Sequence, residues 1–210
     1  MGSEMCIRDS IYGINDYYTG GNFYRLAVSN ASLWLINESL AIKTYDYSNN
    51  ASIDRYAYRY QTSSAPPSSN DIPSTEFSPI QYQNISYDDG IEQIEEASLW
   101  YYASHRFVFN IGENATLLHI TWKGRGWHNF FPLNGARLYI WNCSSNSYEL
   151  LDYTTGGSIT ILEGVIVNPS HYIQNGNVTI LVVQNRYTFW LFRTFYSHIA
   201  TDYIKLEVIN

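Results

Sequence analysis

The side chains best able to do acid–base chemistry in this 210-residue sequence are three closely spaced glutamates. Glu92, Glu95 and Glu96 could supply the two carboxylates that a glycosidase holds about 5–10 Å apart. Spacing along the chain does not set that separation, and the favoured interpretation is a solvated acidic face. The GxSxG, GxGxxG and P-loop motifs do not occur in the sequence. We therefore predict a protein that is not an enzyme.

A second group of carboxylates could bind a cation. Asp88 and Asp89 precede the turn residue Gly90, and Asp202 lies near the end of the chain. Together their oxygens suit a hard cation such as Ca²⁺, and Asx turns are the alternative use of these side chains. A structural calcium at Asp88, Asp89 and Asp202 is the only cofactor hypothesis.

The histidines and Cys143 carry no motif for metal binding or nucleophilic catalysis. Cys143 has no neighbouring His or cationic cluster that would activate its thiol, so we interpret it as a small apolar filler. The histidines lack HxH or HExxH spacing, which indicates structural or surface roles. They are His105, His119, His128, His171 and His198.

An aromatic-rich segment at 121–132 combines rings with polar donors. Gly124 and Gly126 predict a loop from which the rings could project. Three roles remain open: a carbohydrate platform, a contact with another subunit, and packing within the domain. The candidate contact residues are Trp122, Trp127, Phe130 and Phe131. A second aromatic segment at 187–195 is more continuous, and we predict that it is buried.

Charge and composition narrow the class of partner. The chain has 12 basic and 19 acidic residues and a net charge of −7, which argues against nucleic-acid binding through phosphate neutralisation. Its 45% hydrophobic content supplies a core for one domain, with or without an appendage. No apolar run approaches 18 residues, so we predict no transmembrane segment.

Asparagine sequons point to an exported protein. Chance predicts roughly three Asn-x-Ser/Thr motifs in a chain of this composition. Seven occur, at Asn30, Asn37, Asn50, Asn84, Asn114, Asn142 and Asn177. A Ser- and Asn-rich chain can produce such motifs without use, but low lysine and many Tyr, Asn, Ser and Thr residues also favour an extracellular or cell-surface glycoprotein carrying covalent N-glycans.

Alternating apolar and polar residues predict β-strands along most of the chain. Ile204, Leu206 and Val208 share one face of a strand, and Phe107 and Phe109 share a face of another. Turn signals separate these runs at short intervals. Residues 91–102 are the exception, where we predict a short helix or a loop. The fold prediction is all-β: an antiparallel, jelly-roll-like β-sandwich with an N-terminal strand extension.

Composition also divides the chain into regions. Residues 1–10 resemble translated sequencing-adapter sequence, and we predict that they are non-native and say nothing about a signal peptide. Residues 11–60 form a β-strand region. Residues 61–79 hold four of the six prolines and form a linker or long loop. Residues 80–210 form the sandwich.

The C-terminal region resembles extracellular β-sandwich domains of the jelly-roll, galactose-binding-like type from archaeal surface and filament proteins. The resemblance rests on HRFVFNI at 105–111, HITWKG at 119–124, LYIWNCSSNSYELLD at 138–152 and IATDYIKLEV at 199–208. It implies a role in adhesion, in surface coats or filaments, or in sugar binding.

Two functions from different classes follow. The first is a structural subunit of an extracellular filament, pilus or surface coat, which self-associates into a homopolymer by donating a strand from 22–28 or 33–36 to a neighbouring sheet. The second is a carbohydrate-binding module or adhesin that uses exposed aromatic rings to bind a polysaccharide. Tyrosines on both sides of the proline-rich segment favour the first, because one ligand site needs only a local cluster.

Overall fold

A computed structural model describes residues 16–19, 22–29, 32–37, 42–112, 115–130 and 132–210. The chain forms two compact units, Met1–Ile42 and Lys43–Asn210. The first unit contains an antiparallel meander of β1 (Asp16–Thr19), β2 (Asn22–Ser29) and β3 (Ser32–Asn37). The middle strand, β2, is paired on both sides, whereas β1 and β3 are each paired on one side within the described residues.

From residue 42 onward nearly all of the described regular secondary structure is β-strand. The strands are β4 (Ile42–Tyr45), β5 (Arg55–Thr62), β6 (Thr75–Glu76), β7 (Gln93–Glu96), β8 (Tyr102–Asn110), β9 (Leu117–His128), β10 (Ala136–Asn142), β11 (Ser147–Thr154), β12 (Thr160–Val167), β13 (Asn177–Gln184), β14 (Phe189–Trp190), β15 (Thr194–Phe195) and β16 (Ser197–Ile209). One α-helix, α1 (Pro79–Asn84), and one 3-10 helix (Pro169–Tyr172) complete the described elements. Both are too short to cross a membrane, and no other helix is described.

Two antiparallel sheets pack face to face. The first has the strand order β11-β10-β13-β8-β5-β6, and the second has the order β12-β9-β16-β4, with β7 also paired to β16. Phe107, Phe109 and Ile180 of the first sheet share one buried core with Trp122 and Leu206 of the second. Burial of this apolar surface is the main stabilising term of the fold. The predicted all-β antiparallel sandwich is confirmed.

The structure draws the boundary of the sandwich at residue 43 and not at residue 80. β5 pairs with β8 over eight residues, and β4 lies at the edge of the second sheet. These strands belong to the sandwich because their alternating side chains, such as Tyr45 and Ala57, complete its core.

The proline-rich segment 61–79 is a long excursion that covers the outer face of the first sheet. Asn70 accepts a hydrogen bond from the Tyr148 hydroxyl at 2.8 Å and lies 3.3 Å from Thr179 Oγ1. Arg106 is buried beneath the excursion, over the Tyr60 ring at 4.3 Å, and donates to the Asp71 carbonyl. The excursion therefore folds back onto the sandwich.

Two local predictions are wrong. The segment 121–132 is strand as far as His128, because β12 and β16 pair with it on its two sides. A Cβ at Gly124 would overlap the Ala200 carbonyl, and one at Gly126 would overlap the Gly135 carbonyl. These glycines allow close packing inside a strand and do not mark a loop. Part of the predicted helix or loop at 91–102 is strand β7, which forms because β16 supplies its hydrogen-bonding partner.

Candidate functional site

One end of the sandwich, where β8 begins and β13 ends, exposes a group of large apolar side chains. Their exposed fractions run from 40% at Leu99 to 70% at Phe192. The group consists of Leu99, Trp100, Tyr101, Trp190, Leu191 and Phe192, and we call it the aromatic end surface. Monomeric proteins seldom leave so many large apolar side chains unpartnered in one place, so this surface is the candidate functional site.

The β14–β15 hairpin positions half of this surface. Phe189 pairs with Phe195 and their rings lie 5.5 Å apart, while Phe130 packs edge-on against Phe195 at 4.9 Å. These three rings anchor the base of the hairpin. The tip residues therefore project outward, and they are Trp190, Leu191 and Phe192.

The other half lies on the connection between β7 and β8. Trp100 has a left-handed backbone conformation with φ of 72°, which costs about 1 kcal/mol or more for a bulky residue. Its N–H donates to the Thr188 carbonyl at 2.8 Å, and its ring lies 6.0 Å from that of Tyr187. The hydrogen bond holds Trp100 in this conformation beside the hairpin segment.

Buried polar groups make the base of the surface rigid. The Thr188 hydroxyl donates to the Ala97 carbonyl at 2.8 Å and accepts from the Ser197 N–H at 2.9 Å. The Ser197 hydroxyl oxygen in turn accepts from the Ala103 N–H at 3.0 Å. Because these groups are buried and satisfied, the exposed rings stand on an ordered support.

The aromatic end surface carries positive charge. The Arg186 guanidinium lies 4.3 Å from the centre of the Tyr187 ring, and that of Arg193 lies 4.9 Å from the centre of the Phe195 ring. Neither arginine pairs with a carboxylate among the described residues, and the segments 97–101 and 185–196 contain no Asp or Glu. The surface therefore suits a partner that offers both apolar contact and negative charge.

The four rings predicted at 121–132 do not form one surface. Trp122 is fully buried in the core, where its Nε1 donates to Thr201 Oγ1 at 2.9 Å. Trp127 lies on the outer face of the second sheet, stacked on His198 at 4.7 Å. Strand alternation puts these two rings on opposite faces. Phe130 supports the hairpin as described, and Phe131 lies outside the described residues.

The structure also corrects the prediction that the segment 187–195 is buried. Phe189 and Phe195 point inward, but Trp190 and Phe192 are mostly exposed. Sequence reasoning missed the site because a continuous aromatic run is typical of a core. The signal that could have revealed it is the pair of arginines at 186 and 193, which bracket the run and are poorly suited to burial.

Two of the three proposed calcium ligands, Asp88 and Asp202, do meet, but around a lysine. Lys123 Nζ lies 2.7 Å from the fully buried Asp202 and also contacts Asp88. Both carboxylates, Asp202 first, raise the pKa of the Lys123 ammonium well above its usual value. Asp89 accepts from the Ile91 N–H at 2.9 Å in an Asx turn. Among the described residues no three His, Cys, Asp or Glu side chains are grouped so as to hold a metal.

The glutamates do not form a solvated acidic face. Glu95 points inward and is 2% exposed, and its carboxylate binds Arg59 at 2.6 Å. Glu92 binds Arg125 at 2.6 Å, and Glu96 lies 2.9 Å from His198 on the outer face. Alternation along β7 separates Glu95 from Glu96, so these two carboxylates cannot act on one substrate atom.

His105 is the only histidine of the sandwich whose ring lies wholly in the core. Its Nδ1 is 2.9 Å from Thr201 Oγ1, and burial lowers its pKa to about 3. The other four have surface or loop contacts: His119 with Glu207, His128 with the Phe189 ring, His171 with Ser144, and His198 with Glu96. Cys143 is half-buried, and its Sγ contacts the His171 carbonyl.

Four of the seven sequons lie where the structure describes the side chain. Asn50 is exposed in the β4–β5 loop, whereas Asn84, Asn142 and Asn177 are half-buried. The amide of Asn142 donates to Glu149 at 2.6 Å and is therefore already bonded. Asn37 is the last residue of β3, and Asn30 and Asn114 lie outside the described residues.

Comparison with known proteins identifies the domain. The family AF_1625_C, described as "Uncharacterized protein, C-terminal domain", matches residues 52–210, about three quarters of the chain. An uncharacterized protein of the archaeon Archaeoglobus fulgidus is 34% identical over 112 residues, which are 52% of this chain and 19% of that protein. The chain thus spans about a fifth of the length of this curated relative. It belongs to the AF_1625_C family, through the domain that makes up most of its β-sandwich.

Proposed function

We propose that this chain is a non-enzymatic structural subunit of an extracellular filament, pilus or surface coat that assembles with copies of itself. The aromatic end surface carries the proposal. It places six exposed apolar side chains on a rigid base, beside two arginines that pair with no carboxylate in the described part of the chain. Exposing such a surface to water raises the free energy, and covering it with a partner lowers it.

The proposed assembly includes β-strand contacts through the N-terminal meander. β2 is paired on both sides and has no free edge to offer, so strand donation falls to an edge strand such as β3. This favours 33–36 over 22–28 as the donor. Main-chain hydrogen bonds to a neighbouring sheet edge would supply the affinity.

Two further observations favour an extracellular structural role. The excess of Asn-x-Ser/Thr sequons, seven where chance predicts roughly three, is compatible with a glycoprotein. The glutamates that could have formed a glycosidase pair are bound to separate cationic partners, which favours a non-catalytic role.

Electron microscopy of the purified full chain tests the proposal. We expect polymers that lengthen with protein concentration. The variant Leu35→Pro removes a backbone donor from the middle of β3 and should abolish strand donation, whereas Leu35→Val, which keeps the donor, should assemble normally. A wild-type chain that stays monomeric at every concentration would overturn the proposal. Normal polymers from Leu35→Pro would refute strand donation by β3.

A carbohydrate-binding module is the second candidate, and the exposed rings of the aromatic end surface favour it. Trp100, Tyr101 and Trp190 present faces on which a sugar ring could stack, and Arg186 is a nearby hydrogen-bond donor. Calorimetric titration with soluble polysaccharides tests this function. Saturable binding that is lost in Trp190→Ala, with an unchanged melting temperature, would support it, and wild-type affinity in that variant would exclude this surface.

A further inference from the structure

A second feature of the sandwich, an open groove, lies at the end opposite to the aromatic end surface. It has a volume of about 490 Å³ and lies between the β4–β5 loop and α1. Arg55 begins β5 at the groove end, and Thr62 ends β5 beside Tyr102, next to the aromatic end surface. Eight strand residues span about 23 Å, so the two features lie near opposite ends of β5.

The groove is lined by four aromatic residues and by Ser, Asn and Gln side chains, and hydrogen bonds hold two of the tyrosines in place. The rings of Tyr47 and Tyr82 stack at 5.4 Å, and Phe77 packs against Tyr82 at 5.9 Å. The Tyr82 hydroxyl accepts from the Ala57 N–H at 2.9 Å, and the Tyr47 hydroxyl donates to the Tyr56 carbonyl at 2.9 Å. The groove is thus preformed, as binding sites for apolar groups usually are.

The rim of the groove is apolar and exposed. Ile53 and Ile80, which adjoin the lining residues Ser52 and Pro79, have exposed fractions of 71% and 68%. Tyr87, itself a lining residue, is 58% exposed. Covering this rim with a partner would therefore lower the free energy, as covering the aromatic end surface would.

The charges at the two ends are complementary. The segments that contain and flank the groove lining, 46–54 and 76–90, include five carboxylates and no Lys or Arg; the five lie beside the groove and not among its lining residues. Asp54 pairs with Arg55, and Asp88 with Lys123. The other three, Asp46, Glu76 and Asp89, have no cationic partner among the described residues. The hairpin end has two arginines and no carboxylate, so opposite charges would meet if the ends of two copies met.

We propose that the groove of one copy receives the tip of the β14–β15 hairpin, Trp190–Leu191–Phe192, of the next copy, so that subunits join head to tail. The contact deepens the proposed function, on which it rests, by naming the two surfaces that meet. Because the two surfaces differ, the contact is heterologous, and repeating it generates an open filament unless the rotation closes a ring. Arg193 then lies toward the acidic groove segments.

The contact places a condition on glycosylation. Asn50 lines the groove and belongs to a sequon. A glycan on Asn50 would fill the space that the hairpin tip needs. Asn50 is therefore unmodified in assembled protein, and intact-peptide mass spectrometry of filaments that found it occupied would overturn the contact.

Mixing two defective copies of the full chain tests the contact. Phe192→Asp removes an exposed tip ring, and Gln83→Arg places a bulky cation in the groove; both positions are exposed, so we expect both variants to fold. Each variant alone should lose head-to-tail association by at least tenfold, as truncation of an aromatic anchor does. With Leu35→Pro added to both variants to remove strand donation by β3, their equimolar mixture should form dimers and stop there, because only one intact hairpin and one intact groove can meet. Sedimentation velocity distinguishes these states.

A matched control introduces the same charge elsewhere. Ile161 is 53% exposed on the outer face of β12, and Ile161→Asp should associate like the wild type. Wild-type polymers from Phe192→Asp would overturn the contact and leave the proposed structural function standing. A wild-type monomer at all concentrations would overturn both. If the mixed variants form no dimer, the hairpin tip does not bind in this groove. Binding of the monomer to anionic phosphatidylglycerol vesicles through Phe192 would lead to the same conclusion.

Discussion

Acidification from pH 7 to pH 5 should destabilise the sandwich through His105. This imidazole lies in the core, edge-on to Phe77 at 5.1 Å. Trp122 Nε1 donates to Thr201 Oγ1, which leaves the Thr201 hydroxyl proton free to bond His105 Nδ1. The pKa of His105 falls to about 3, chiefly because burial penalises the charged ring and to a smaller extent because of Arg59.

The size of the effect follows from proton linkage. In the unfolded chain the pKa of a histidine is about 6.5, so between pH 6.5 and pH 3 the unfolded state binds a proton that the folded state does not. The free energy of unfolding therefore falls as the pH drops through this window, by about 1.4 kcal/mol per unit. At pH 5 the expected loss from His105 is about 2 kcal/mol. Burial also lowers the pKa of His128, which acts in the same direction.

Urea unfolding of the wild type and of His105→Gln at pH 7, 6 and 5 measures this loss. Glutamine keeps a polar partner for Thr201 but does not titrate in this range. The variant should be less stable at pH 7 and should lose about 2 kcal/mol less than the wild type between pH 7 and pH 5. Parallel pH dependence of the two proteins would refute the assignment of a neutral, buried His105.

Two further changes test the packing of β9 against its neighbours. Gly126→Ala puts a Cβ onto a backbone carbonyl and should cost about 2 kcal/mol or more in urea unfolding, whereas Gly156→Ala, where only ordinary contact arises, should be nearly neutral. Lys123→Met leaves the fully buried Asp202 without its cation and should lower the melting temperature in calorimetry more than Asp88→Asn does; the reverse order would show that Asp202 does not need the ammonium.

The candidate site depends on which aromatic rings are exposed and which are buried, and sequence patterns predict this difference poorly. Trp122 and Trp190 both lie in aromatic-rich runs, yet Trp122 is buried and Trp190 is exposed. Trp122 belongs to a long strand with partners on both sides, so its orientation follows from alternation. Trp190 lies on a two-residue strand at the tip of a hairpin, where only the packing of Phe189 and Phe195 decides which rings remain outside.

Alternation along the chain predicts the all-β class, because the inward side chains of long strands such as β9 and β16 repeat every second residue. Long-range contacts were needed to show that β7 is a strand, that the proline-rich segment covers a sheet, and that Asp88 and Asp202 meet at Lys123. Alternation is a local property of the chain. Strand partners, ion pairs and exposed ends depend on residues that are distant in sequence and are brought together by the burial of the common core.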